Sequence, residues 1–122
     1  MQVLSKATPD TYAAAYGIGG RYVVGTQQVP SENYAAQPVV WTDGQLSTLP
    51  GGGWTPAAVN SSGMIAGNAE TAVVWQGGQL TRLPALDPNG QTWAEVITED
   101  GTVGGTALTS DSVIVPVTWS CR

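Results

Sequence analysis

The chemistry open to this chain of 122 residues is set by nine carboxylates, four Lys and Arg side chains, five tryptophans, four tyrosines, one cysteine and no histidine. Without histidine it lacks the side chain that most readily exchanges a proton near neutrality, and also the commonest metal ligand. Acid–base catalysis would then need two acids flanking a cleft, as in glycoside hydrolysis. Glu95 with Glu99 or Asp100 is the nearest such pairing, but Thr98-Glu99-Asp100-Gly101 has the composition of a tight turn. Asp87-Pro88-Asn89-Gly90-Gln91 places oxygens at alternate positions, as a calcium loop begins, yet lacks the later acidic ligand, so a plain turn is expected. Cys121 has no partner with which to form an intrachain disulfide. No metal, cofactor or enzymatic activity is expected. What remains is recognition. The rings of Tyr12, Trp54 and Trp93, with Tyr34, Asp87 and Glu95 to fix orientation, suit a neutral ligand, carbohydrate foremost.

The elements that must hold these residues come from an internal repeat. Val39-Val40-Trp41-Thr42-Asp43-Gly44-Gln45-Leu46-Ser47-Thr48-Leu49-Pro50 recurs 34 residues later as Val73-Val74-Trp75-Gln76-Gly77-Gly78-Gln79-Leu80-Thr81-Arg82-Leu83-Pro84. Pro116-Val117-Thr118-Trp119 is the front half of a third copy, and Leu4-Ser5-Lys6-Ala7-Thr8 aligns with Leu46 to Pro50 as a back half. Between them, Ala58 to Gly67 matches Val96 to Gly105, and Ile18 to Gly25 is a shorter version. One domain over 1–122 is expected, with units at 12–50, 54–84 and 93–122 and a strand within 1–8.

Each unit reads as four short apolar runs bounded by glycine or proline, such as Ala57–Val59, Met64–Ala66, Ala72–Trp75 and Gln79–Leu83. Runs this short and this rich in valine and tryptophan are strands, so the fold class is all-β. Four-stranded antiparallel units of about 40 residues are the blades of a β-propeller. The alanine-rich first strands (Ala13-Ala14-Ala15, Ala57-Ala58, Ala94) suit the crowded axis. Three blades fall short of a closed ring, and the leading fourth strand (Leu4 to Ala7) is offset from the trailing third (Val113 to Trp119). A homodimer of six blades with strand exchange at closure is therefore expected. The alternative is a monomeric β-trefoil, which also has three units of four strands.

In a blade the 1–2 and 3–4 turns share one face, and the 2–3 and 4–1 loops share the other. The second set varies in length, and binding usually resides in such loops. Tyr12, Trp54 and Trp93 enter the innermost strands there, although each ring taken singly also suits core packing; Trp41, Trp75 and Trp119 read as packing between blades. Glu99 and Asp100 fall on the opposite face from Glu95. Asp10, Glu32, Asn33, Asn68, Glu70, Asn89 and Asp111 read as solvated loop residues.

The repeats resemble the HAF family of extracellular repeats through Val59-Asn60-Ser61-Ser62-Gly63-Met64-Ile65-Ala66-Gly67, Trp41 to Leu49 and Trp75 to Leu83. The naming triplet is replaced by Pro38-Val39-Val40 and Ala72-Val73-Val74. The resemblance implies a propeller-like, secreted or cell-surface protein and implies no activity. A net charge of −5 disfavours nucleic acid and anionic membranes. No run is long and apolar enough for a membrane helix, and no signal peptide is visible at Met1 to Lys6. The expected partners are a second copy and a glycan or surface protein.

Overall fold

A computed structural model describes residues 3–6, 8, 11–30, 35–49, 54–86 and 90–120. The described residues form eleven strands in three antiparallel sheets and contain no α-helix. Sheet 1 is the meander β1 (Tyr12–Gly19), β2 (Tyr22–Gln28), β3 (Ala36–Thr42) and β4 (Gln45–Thr48). Sheet 2 repeats it with β5 (Thr55–Val59), β6 (Ile65–Asn68), β7 (Ala72–Gln76) and β8 (Gln79–Arg82). Sheet 3 has three strands: β9 (Thr92–Ile97), β10 (Thr102–Leu108) and β11 (Ile114–Ser120). Among the described residues no sheet closes on itself. The expected strand at Leu4 to Ala7 is not formed over its described residues, 4–6, and Ala7 lies outside them.

Glycine and its neighbours set the hairpins. Gly63, Gly101 and the Asp43-Gly44 pair sit at positive φ, the region that tight turns between right-twisted strands require. The sheets stack in chain order, with β5 against sheet 1 and β9 against sheet 2. Sheet 2 is covered on both faces, so β6 and β7 are nearly continuous buried runs (Ile65-Ala66-Gly67, Ala72-Val73-Val74). In β11 exposed and half-buried residues alternate, as expected of a strand packed on one face. One core cluster joins Val24 and Val40 of sheet 1 to Trp54, Val59, Ile65 and Val73. A second joins Met64, Ala66, Val74 and Leu83 to Ile97, Val103 and Trp119. Each fully buried valine or isoleucine stabilises this stack by about 2 kcal/mol.

The units repeat in ladder register as well as in sequence. Every first strand carries a β-bulge at one place, occupied by Tyr16, Ala57 and Glu95. Beside it, Gly25 pairs with Ala15, Gly67 with Pro56 and Gly105 with Ala94. A Cβ at these glycines would lie 1.8, 2.5 and 1.9 Å from the carbonyl oxygens of Ala14, Thr55 and Trp93. The bulge thus presses the first strand onto its neighbour, and only glycine leaves room.

Candidate ligand-binding strip on the inner strands

The ladder separates the three aromatics expected to share one position. Counted from the glycines, Trp54 occupies the place of Ala13 and Thr92, whereas Trp93 occupies that of Ala14 and Thr55. Tyr12 lies one step further out, paired with Gln28. Side chains alternate across a strand, so one residue of offset changes their surroundings. Tyr12 is 66% exposed, Trp93 is half-buried, and Trp54 is 3% exposed within the core between sheets 1 and 2. Tyr34 and Asp87 lie outside the described residues.

The bulges supply what the sequence pattern did not reveal. Tyr16 and Glu95 hold the same bulge position on β1 and β9, and both are exposed. Tyr16 and Tyr12 line one shallow groove with Ala13, Ala14, Thr26 and Gln28, and the Tyr16 and Thr26 hydroxyls are 3.3 Å apart. The signal for Tyr16 was Gly25, whose lack of a side chain marks the bulge opposite.

The acids divide as the turns do. Glu99 accepts the Ser61 N–H at 2.8 Å and the Ser61 hydroxyl, which hold its carboxyl below the ordinary value of 4.5. Asn60 Nδ2 donates to the Thr98 carbonyl at 3.1 Å, so two successive 1–2 turns are bonded to each other. Arg21 is bonded to Asp43 across the 1–2 and 3–4 turns of sheet 1, and this pairing raises the Arg21 pKa. Among the described residues no group of three or more Cys, Asp or Glu is placed to hold a metal ion. No helix of the described residues is long and apolar enough to cross a membrane.

A pH effect follows from Glu99. Its lowered folded pKa stabilises the fold above the unfolded carboxylate range, and that contribution is lost as pH falls through the folded value. Urea midpoints between about pH 5 and about pH 3 should fall less steeply for Ser61→Ala than for the parent chain. Parallel slopes would show that the contact contributes nothing. Compared with protein-family models, curated proteins and solved structures, the chain shows no match.

Proposed function

We propose that the chain is a non-catalytic binding module of propeller type, secreted or displayed at the cell surface, which recognises a neutral ligand, carbohydrate foremost, along its inner strands. The observation that carries this reading is the pair Tyr12 and Tyr16, exposed four residues apart on one strand and lining one groove with a threonine hydroxyl and a glutamine amide. Rings give a neutral ligand apolar stacking area, and uncharged donors and acceptors fix its orientation without a charge to desolvate. Glu95, at the equivalent bulge two sheets away, adds an acceptor on the same strip. Three separate sheets stacked face to face support a propeller over a trefoil, whose units share one closed barrel. The secreted or surface placement rests on the HAF-like repeats.

The test is calorimetric titration with a panel of neutral oligosaccharides. Tyr12→Ala and Tyr16→Ala are each expected to weaken binding about tenfold, an effect of about 1.4 kcal/mol, with unchanged circular dichroism. A blank panel with folded protein would remove the ligand. It would leave a structural or protein-interaction scaffold, the reading favoured by exposed Ile18, Val96 and Ile114 on the two end sheets.

A further inference from the structure

In sheets 1 and 2 the third strand has a fourth beside it, whereas no described strand pairs with the outer edge of β11. One bond recurs along that edge: the Leu49 N–H donates to the Pro38 carbonyl, and the Leu83 N–H to the Ala72 carbonyl, both at 2.9 Å. Pro38, Ala72 and Pro116 share one ladder position, opposite Thr26, Asn68 and Thr106. The Pro116 carbonyl is the third member of this set, on the uncovered edge.

The matching donor lies at the other end of the chain. Trp119 Nε1 donates to the Pro84 carbonyl, and Trp41 Nε1 to the Ser5 carbonyl, both at 2.7 Å. Ser5 therefore holds the place of Pro84, Leu4 that of Leu83 and Val3 that of Arg82. This shifts the segment three residues from its sequence alignment with Leu46 to Pro50. Val3-Leu4-Ser5, not a strand in the single chain, thus matches the end of a fourth strand whose third strand is not in sheet 1. The faces agree. Ile18 holds the ladder place of Val59, yet it is 76% exposed where Val59, covered by sheet 1, is 4% exposed.

We infer that a second copy of this chain fills both places. The partner's sheet 3 packs on the open face of sheet 1, and Val3-Leu4-Ser5 runs along the partner's β11, with the Leu4 N–H donating to the partner's Pro116 carbonyl. A second copy is the occupant because the bare edge and the unpaired strand end are complementary parts of one repeat. Used twice about a twofold axis, this joint closes a ring of two three-sheet chains and leaves neither edge open. The inference builds on the propeller-type stacking proposed above but not on the ligand, so a blank oligosaccharide panel leaves it standing.

Light scattering on the full chain should give twice 12.6 kDa. In a Cys121→Ser background, chains carrying Val3→Cys and chains carrying Val117→Cys should form a disulfide-linked pair when mixed and oxidised. Neither should do so alone, because Val3 is to face Val117 as Arg82 faces Val73. Leu4→Pro, which lacks the N–H, should weaken association about tenfold with unchanged circular dichroism. A mass of 12.6 kDa at every concentration, no cross-link in the mixture, or cross-linking of either variant alone would overturn the exchange. A mass that grows without limit would replace the closed ring by an open filament and overturn it equally.

Discussion

Gly105→Ala is expected to lower stability by about 3 kcal/mol or more and the melting temperature by about 10 °C. The added Cβ would lie 1.9 Å from the Trp93 carbonyl oxygen and 2.9 Å from its carbonyl carbon. These are backbone atoms of a paired strand, so relief means separating β9 from β10 where Ala94, Val103 and Ala107 are buried. Gly77→Ala is the control. Nothing lies within 4 Å of its Cβ, and only its positive φ of 59° is strained, at a cost of about 1 kcal/mol. Thermal melts of the two variants decide the matter: equal losses would mean that the bulge is not the tight point.

The second large effect is expected at Asn68. Its Nδ2 donates to the Ala94 carbonyl at 2.9 Å, and its Oδ1 accepts the Ala94 N–H at 2.7 Å, so one side chain serves both backbone groups of a buried residue in the next sheet. Asn68→Ala leaves that donor and that acceptor unpaired, and unfolding by urea should show a loss of about 2 to 4 kcal/mol. Proline at position 94 should recover part of it. Pro56 holds the same ladder place in sheet 2 and has no N–H to satisfy. The double variant Asn68→Ala with Ala94→Pro should thus lose less than the sum of the two single losses. Strict additivity would show that the Ala94 N–H is not the group left in deficit.

The strands and hairpins were legible because glycine and proline punctuate the chain and valine fills the runs between. The repeat fixed which strands neighbour which, since each unit is a meander. The phase of Tyr12, Trp54 and Trp93 was not legible. It depends on bulges at Tyr16, Ala57 and Glu95, and a bulge is an event of pairing that leaves its mark on the partner strand, at Gly25, Gly67 and Gly105. The place of Leu4-Ser5 was not legible either: the register inferred above lies three residues from the alignment with Leu46 to Pro50. The fourth-strand motif has a leucine at two points three residues apart, Leu46 and Leu49 or Leu80 and Leu83; the serine after Leu4 favours the first, and only the Trp41 indole bond to Ser5 points to the second. Tyr16 stands out in the run Tyr12 to Gly19 by its ring, but its outward place at a bulge is set by the pairing with Gly25 and not by its own surroundings in sequence.

The two joints of the stack balance their backbone groups in opposite ways. Between sheets 2 and 3, Asn68 serves Ala94, and the Thr92 hydroxyl accepts the Ala72 N–H at 2.9 Å. Between sheets 1 and 2 the same four places hold Thr26, Pro56, Trp54 and Pro38: the two prolines remove the donors, and the tryptophan fills the space. One joint adds partners and the other deletes the need for them. The sheets are therefore alike as parts but not interchangeable as neighbours. Duplicating sheet 2 would bring Asn68 against a proline and the Trp54 indole against the Ala72 N–H, and deleting it would leave the Ala94 N–H facing Thr26 in place of the asparagine, so the order of the units is written into the joints themselves.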